Sequence, residues 1–264
     1  MNRTEKRMLE LLDELRERYH VIGVKAEFET EGTRLEEASR LREISREVGL
    51  DFTLKIGGCG AIKDLFEAID LGVDRVVAPM VETAYALQKY LLAIDTVFAR
   101  KSGVKFSVNL ETITAFKNLD EMLSIPEITA LDGIVIGRSD LAGSMGLSSK
   151  EVEGEIIGKL ALEMAGKAKT AGLEVAIGGG ISFLSLPFLK TFPVGQIDRF
   201  ETRKVVFRAP EALENPAVAF QKALEFEILW LKNKQHYYGA IDRQDEARLA
   251  TLEERYRNSI EGAL

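Results

Sequence analysis

Short apolar runs alternate along the chain with longer segments in which apolar residues recur every three or four positions. The first such segment places Met8, Leu11, Leu12 and Leu15 on one face of a helix that ends near His20. Strands are predicted for seven short runs, over residues 21–29, 51–56, 75–81, 105–111, 133–137, 174–177 and 196–207. Helices are predicted near residues 33–49, 61–71, 83–101, 113–123 and 150–171, with Thr33 and Glu36 capping the first and Ser148 and Glu151 capping the last.

This order of elements indicates an α/β fold. Short apolar strands that are each followed by a helix are typical of a parallel sheet covered on both faces. We therefore expect residues 1–210 to form a (β/α)8 TIM-type barrel. Only seven strands are visible, so the first strand of the barrel is shortened, replaced by the N-terminal helix, or hidden in the pattern. A doubly wound open sheet is the alternative.

The last part of the chain is helical throughout. After Pro216 the strand pattern stops, and residues 211–264 are predicted to form a C-terminal helical extension. Its expected buried anchors are Trp230, Leu249, Leu252 and Tyr256. Such a helix packs either on its own barrel or on a neighbouring subunit, and we expect a homo-oligomer.

Composition narrows the functional class. The 264 residues are 46% hydrophobic and 29% charged, with a formal net charge of −7. The acidic balance disfavours binding to nucleic acid or to an anionic membrane surface. A single cysteine, Cys59, excludes an internal disulfide, and no stretch has the length and apolarity of a signal peptide or a membrane span. These features favour a cytoplasmic location.

The candidate site residues lie just past the predicted strands, because the carboxyl ends of parallel strands converge on one face of a barrel. Period-two alternation places Lys25, Glu27 and Glu29 on one face of the first strand. Further polar strand-end residues are Glu31, Lys55, Glu82, Asn109, Glu111, Arg138, Asp140, Arg199, Glu201 and Arg203. A mouth rich in carboxylates favours a hard divalent cation.

Three segments carry a resemblance to a known family. They are Ala78-Pro79-Met80-Val81-Glu82-Thr83, Asn109-Leu110-Glu111-Thr112, and the run from Leu131 through Gly137-Arg138-Ser139-Asp140-Leu141. Over residues 21–147 the chain resembles the HpcH/HpaI aldolase and citrate lyase family of pyruvate-type barrels. The resemblance implies that Glu111 and Asp140 ligate Mg²⁺, Mn²⁺ or another divalent cation. It also implies that Lys55, Gly137, Arg138 and Ser139 contact a small carboxylate substrate, and Lys55 is a candidate catalytic residue together with Glu27 and Glu29.

The chain departs from the family pattern at two positions. Lys55 stands where the family has an arginine, so the positive charge is retained and the planar two-pronged donor is lost. Thr30 stands where the aldolase branch has a histidine, if Glu29 aligns with the family glutamate. Proton transfer is then expected from Glu27, Glu29 or a water molecule on the metal.

The resulting prediction is a divalent-metal-dependent carbon–carbon lyase or aldolase that acts on a 2-oxo acid, or a related small carboxylate, through an enolate. One alternative is a barrel enzyme for a phosphorylated or CoA-ester substrate, with Gly178–Gly180 around the phosphate; a plain tight turn is at least as good an interpretation of that run. The other is a barrel that binds a carboxylate without catalysis. For Arg199, Glu201, Arg203 and Lys204, an ion-pair network is favoured over substrate contact.

Overall fold

A closed barrel of eight strands forms the body of the protein. The computed structural model describes residues 1–98, 103–214 and 216–261, the last seven of them by their backbone alone. In chain order the elements are α1 Arg3–Tyr19, β1 Val21–Glu27, α2 Leu35–Glu47, β2 Asp51–Lys55, α3 Ile62–Leu71, β3 Arg75–Ala78, α4 Ala84–Val97, β4 Lys105–Leu110, α5 Ile113–Lys117, α6 Leu119–Leu123, β5 Gly133–Gly137, α7 Arg138–Ser144, α8 Glu155–Thr170, β6 Glu174–Gly178, α9 Leu186–Leu189, β7 Arg199–Glu201, β8 Val205–Arg208 and α10 Pro216–Glu261.

Seven of the strands are parallel and the eighth is not. Strands β1 to β7 follow one another around the barrel in parallel, whereas β8 pairs antiparallel with both β7 and β1. The TIM-type barrel is thus confirmed, and the open-sheet alternative is wrong. The run 196–207, predicted as one strand, is a hairpin whose return strand β8 closes the barrel. The expectation that the first strand is the hidden one is therefore wrong, since β1 is present in full and the hidden strand is the last.

Helix α1 shows how the sequence specifies these elements. The Asn2 side chain accepts a hydrogen bond from the Glu5 N–H at 2.9 Å, and the Glu5 carboxylate accepts one from the Asn2 N–H at 2.8 Å. This reciprocal cap satisfies two N–H groups that a helix start leaves unpaired. The predicted apolar face of Met8, Leu11, Leu12 and Leu15 is fully buried.

Three predicted helix boundaries differ from the structure. Helix α2 begins at Leu35 rather than at Thr33, because the Arg34 N–H finds its acceptor in Glu37. Ser148 and Glu151 close a 3-10 turn over Ser149–Glu153, ahead of α8. The predicted helix 113–123 divides at Asn118, whose side-chain amide donates to the carbonyl oxygen of Glu82 at 2.8 Å. The end predicted for helix 83–101 lies outside the described residues.

Helix α10 packs on its own barrel through its first half. Phe226 and Trp230 are buried, and Asn233 accepts a hydrogen bond from Asn2 of α1 at 2.8 Å. Leu249 and Leu252 are 57% and 49% exposed, so their prediction as buried anchors is wrong. They lie on a stretch, residues 240–254, in which every residue is exposed. The Tyr256 side chain is outside the described residues, and the division at residue 210 and the homo-oligomer stay predictions.

No helix in the described ranges is both long enough and apolar enough to cross a membrane.

The packing of α1 yields a stability prediction. Truncation of a fully buried leucine leaves a cavity that the neighbouring elements fill only partly. Leu12→Ala should therefore lower the free energy of unfolding by about 2–5 kcal/mol, measured by urea denaturation. Leu92→Ala is the matched control, since Leu92 is also helical but 60% exposed. An equal loss in both variants would contradict the docking of α1 on the barrel.

Candidate active site at the barrel mouth

A cavity of about 370 Å³ opens at the carboxyl ends of the parallel strands. Its charged and polar wall residues come from several strands or from the segments just after them. They include Lys25, Glu27, Lys55, Asn109, Glu111 and Asp140. Barrel strands that end side by side bring these residues together, although up to 115 positions separate them in the sequence. The strand-end rule thus correctly predicted that these residues meet in one cavity.

Glu111 is the most deeply placed carboxylate of this cavity, with 2% of the residue exposed. Its Oε1 accepts a hydrogen bond from the Met80 N–H at 2.9 Å, and its Oε2 accepts one from the Asn109 amide at 2.8 Å. The Lys55 Nζ lies 3.7 Å from the same Oε2. Burial raises the pKa of Glu111 above its usual value, and Lys55 with the two hydrogen bonds only partly offsets that rise.

Two backbone features allow this placement. Met80 has a φ of 52°, a value that residues other than glycine rarely adopt. In this conformation the Met80 N–H donates to the Glu111 carboxylate. Gly137 lies against the same carboxylate. A Cβ at position 137 would stand 2.7 Å from both the Cβ and the Oε2 of Glu111, which is closer than side-chain atoms approach. Only glycine fits there while Glu111 keeps its position.

Asp140 faces the cavity from the first turn of α7, and it is exposed. It is close enough to Glu111 to raise the pKa of Glu111 further. Within the described part of the chain, no group of three or more histidine, cysteine or acidic side chains is arranged to hold a metal. A pair of carboxylates with space beside them is nevertheless a donor set that suits Mg²⁺, which keeps several water or substrate oxygens among its ligands. The residues present thus fit the ion that the resemblance implies.

Lysines pair with the other carboxylates of the mouth. Lys55 Nζ lies 2.7 Å from Glu29 Oε2, and Lys25 Nζ lies 2.7 Å from Glu201 Oε1 and 3.1 Å from Glu27 Oε1. Burial alone would raise the pKa of Glu27, but the charges of Lys25 and Lys55 outweigh it and hold the pKa below its usual value. Lys25 and Glu27 are therefore paired, as the alternation predicted, whereas Glu29 follows the end of β1, pairs with Lys55 and is not among the residues that line the cavity.

The same network keeps Lys55 charged. Burial by itself lowers the pKa of Lys55, and the carboxylates of Glu111, Glu29 and Glu27 together raise it above the ordinary value. Lys55 thus brings a permanent positive charge to the cavity beside Glu111. Lys55 thus forms a salt bridge with Glu29 and still lines the cavity.

Arg138 is not placed for the substrate contact that the resemblance implied. Its side chain is fully buried behind the cavity wall, where it donates to the Glu153 carboxylate at 2.8 and 3.2 Å and to the Gly179 carbonyl at 3.0 Å. The guanidinium also stacks 4.4 Å from the centre of the Phe188 ring. Gly137 and Ser139, its neighbours on either side, do line the cavity.

The glycine run 178–180 also lines the cavity, and packing accounts for it. Gly179 has a φ of 78°, and a Cβ there would lie 2.4 Å from the Arg138 nitrogen and 2.5 Å from the Ser139 nitrogen. The loop after β6 therefore touches the start of α7 directly, which only glycine permits. This contact favours the tight-turn interpretation over a phosphate cradle.

Both histidines lie away from the mouth: His20 ends α1, and His236 lies on α10 beside a groove of about 650 Å³ between α2 and α10. That groove is the larger of the two spaces, but the strand-end carboxylates are absent from its walls.

Thr30 lines the mouth where the resemblance places a histidine. Thr202 and Glu227 also line the mouth, although the sequence did not single them out as site residues. Glu227 belongs to α10, and nothing in the sequence pattern indicated that this helix reaches the cavity.

The opposite pKa directions of Glu111 and Glu27 predict opposite effects of neutralising them. The raised pKa of Glu111 means that its ionisation weakens the fold as the pH rises from 4.5, the unfolded value, through the higher folded value. Relative to the wild type, Glu111→Gln should therefore be more stable at about pH 7.5 than at about pH 4. The lowered pKa of Glu27 means that its charge stabilises the fold above 4.5 and that this contribution is lost as the pH falls through the folded value. Glu27→Gln should therefore lose stability at neutral pH.

Urea denaturation of the metal-free protein at the two pH values measures both effects. If the two variants change stability in the same direction at neutral pH, the electrostatic description of the mouth is wrong.

Comparison with known proteins agrees with the resemblance. Residues 57–178 match the family model described as HpcH/HpaI aldolase/citrate lyase. The fold is similar to that of an HpcH/HpaI aldolase from Desulfitobacterium hafniense, with 13% identity, 69% of this chain and 86% of that chain covered, and a TM-score of 0.54. It is also similar to the citrate synthase SbnG, with 13% identity, 74% and 80% coverage and a TM-score of 0.56.

A third similar structure is an HpcH/HpaI aldolase/citrate lyase family protein from Burkholderia cenocepacia, with 14% identity, 63% and 74% coverage and a TM-score of 0.53. At such identities these structures support the fold alone. No curated protein matches the chain. The family resemblance of the sequence is confirmed by the match of residues 57–178 to this family model.

Proposed function

We propose that the barrel is a divalent-metal-dependent carbon–carbon lyase or aldolase that acts on a 2-oxo acid, or a related small carboxylate, through an enolate. One observation carries the proposal. The carboxylates of Glu111 and Asp140 face the same cavity at the carboxyl ends of the strands, with Lys55 beside Glu111. Two acids and one cation around an open space suit a reaction in which negative charge develops on a substrate oxygen.

Glu111 and Asp140 are the residues that would hold the metal. When bound there, a divalent cation supplies a Lewis acid for the oxygens of a 2-oxo acid and for the enolate derived from it. The burial of Glu111 supports this assignment, since a buried carboxylate is stabilised by a neighbouring positive charge. The hydrogen bonds from Met80 and Asn109 would fix its orientation before any ligand arrives.

Lys55 would stabilise the anionic substrate. Its pKa is raised, so it is protonated at neutral pH, and its side chain is 12% exposed at the cavity wall. A fixed ammonium in a partly desolvated site attracts a developing enolate oxygen more strongly than it would in water. The single point charge of lysine also sets a looser orientation than the planar arginine that the family has at this position.

The proton acceptor would be one of the two carboxylates of the β1 end. Glu27 pairs with Lys25 and its pKa is lowered, which keeps it ionised but makes it a weak base. Glu29 pairs with Lys55 and is more exposed, with 29% of its side chain exposed against 8% for Glu27, but of the two carboxylates it is Glu27 that lines the cavity. In the cleavage direction this carboxylate would take the hydroxyl proton while the carbon–carbon bond breaks towards the enolate.

Exchange of the pyruvate methyl protons for deuterium, followed by NMR, tests the proposal without knowledge of the full substrate. With Mg²⁺ or Mn²⁺ the protein should catalyse exchange, and chelation should stop it. Glu111→Gln and Asp140→Asn should each lower the exchange rate by about a hundredfold or more, as loss of a group that stabilises an anionic transition state does. Asp120→Asn, in an exposed ion pair with Lys167, is the control.

Full exchange activity in both site variants would refute the assignment of Glu111 and Asp140. If the wild type binds metal but exchanges no oxo acid, two other functions should be tested. They are a phosphorylated or CoA-ester substrate and a barrel that binds a carboxylate without catalysis. Titration with sugar phosphates, CoA esters and small carboxylates separates these two.

A further inference from the structure

The end of the barrel opposite the mouth carries a cluster of charged side chains. Parallel strands all start at this end, and five of them start with a charged residue. Strand β8 runs the other way, so its last residue, Arg208, also lies there, opposite the first residue of β7. Bulky branched side chains usually fill the inside of such a barrel, so this end departs from the common pattern. We call the six residues the basal cluster: Asp51, Arg75, Lys105, Glu174, Arg199 and Arg208.

The Glu174 carboxylate is already occupied by two cations of this cluster. Arg75 donates from Nη2 to Glu174 Oε2 at 2.6 Å, and Lys105 donates to Oε1. Strands β4 and β5 stand between β3, which carries Arg75, and β6, which carries Glu174, so this contact crosses the inside of the barrel. Arg75 is 5% exposed, and its other terminal nitrogen donates to the Ser107 hydroxyl at 2.6 Å. Arg75 is thus fully paired.

Arg199 is buried beside this pair without an acceptor of its own. Its side chain is 11% exposed, and neither Nε nor Nη2, both shielded from solvent, has a hydrogen-bond partner among the described residues. Nη2 lies 3.3 Å from Glu174 Oε2, but the two are not aligned for a hydrogen bond, and that oxygen already accepts from Arg75. The preceding acid, Asp198, accepts from Lys169 at 2.9 Å instead. Buried donors of this kind have lost their hydration without a replacement.

Like charges also face each other in the basal cluster. Arg208 is directly opposite Arg199 on the antiparallel ladder, and residues so paired have Cβ atoms about 4.5–5.5 Å apart. Like charges in that arrangement destabilise a sheet. Burial lowers the pKa of Arg199, and the nearby charge of Arg75 lowers it further. The arrangement of three guanidiniums therefore costs free energy that Glu174 only partly offsets.

A bound anion would remove both costs, whereas a water molecule would remove only one. Water would accept from the Arg199 donors and leave the repulsion between the guanidiniums. The Nε and Nη2 N–H groups of one guanidinium point in the same direction, which matches two oxygens of an oxyanion. Arg208 is exposed and the Lys105 side chain is 50% exposed, so two further cations approach from the solvent side. Four cations against two acids leave this end of an acidic protein positively charged.

We propose that the basal cluster binds a tetrahedral oxyanion, a phosphate group, between the guanidiniums of Arg199 and Arg208. The exposed Arg208 side chain would close over the ligand from the solvent side, while Arg75 and Lys105 keep Glu174 neutralised beneath it. This site lies at the opposite end of the strands from Glu111 and Asp140, and it does not depend on the proposed function.

Isothermal titration of the metal-free protein with sodium phosphate, at constant ionic strength, tests the site. The wild type should bind one phosphate. Arg199→Gln and Arg208→Gln should each weaken the affinity about tenfold or more, the factor expected when a hydrogen bond between charged groups is lost. Arg208→Lys should keep part of the affinity, since lysine retains the charge without the fork. Arg208 is exposed, so its variants test the site even if Arg199→Gln fails to fold.

Two arginines outside the basal cluster provide the controls. Arg7 on α1 is 48% exposed in an ion pair with Glu225, and Arg203 lines the cavity at the mouth with 49% of its side chain exposed. Arg7→Gln and Arg203→Gln should both bind phosphate as the wild type does. No binding by the wild type at millimolar phosphate, or full affinity in Arg208→Gln, would overturn the proposal. A loss in Arg203→Gln equal to that in Arg208→Gln would also overturn it.

A parallel titration with glycerol 3-phosphate distinguishes a free ion from the phosphoryl group of a larger molecule. If inorganic phosphate binds and the ester does not, the ligand is the free ion. If both bind and both depend on Arg208, the site takes a phosphoryl group that projects from a larger molecule. Either result supports the basal site, and binding of the ester that is independent of Arg208 contradicts it.

Discussion

The buried carboxylate of Glu111 imposes the arrangement of everything around it at the barrel mouth. A charge with 2% exposure persists only where donors and opposite charge replace water. Here the donors are the Met80 N–H and the Asn109 amide, and the nearby charge is Lys55. Gly137 leaves the space that the carboxylate occupies. Even so, the pKa of Glu111 stays raised, because these groups offset only part of the effect of burial.

Barrel closure by a hairpin explains why the sequence pattern did not show the eighth strand. The alternating pattern of residues 196–207 passes through Thr202-Arg203-Lys204 without a glycine, proline or asparagine, so nothing in it marks a turn. The sequence therefore predicted one strand where two exist, and it left the eighth strand unplaced. The turn is stabilised by contacts between distant residues, Lys204 with Glu31 and Trp230, and such contacts are not visible in a local pattern.

The candidate site was predictable wherever a residue's role depends on strand position alone. Period-two alternation correctly grouped Lys25 with Glu27, and the strand-end rule correctly brought Glu111, Asp140 and Lys55 to one cavity. It misplaced Arg138, because the rule gives the end of a strand and not the direction of a side chain. That direction is set by Glu153, fifteen residues along the chain, and by the Gly179 carbonyl on the next strand's loop.

The central claim is that Glu111 and Asp140 together hold a divalent cation at the mouth. Crystals grown with Mn²⁺ and measured at the manganese absorption edge test it most directly, because the anomalous signal locates the metal without reference to activity. The account predicts a peak at about 2.0–2.6 Å from a carboxylate oxygen of both residues, the range for hard cations bound to oxygen. A peak elsewhere in the protein, or a mouth without one at saturating Mn²⁺, would contradict it.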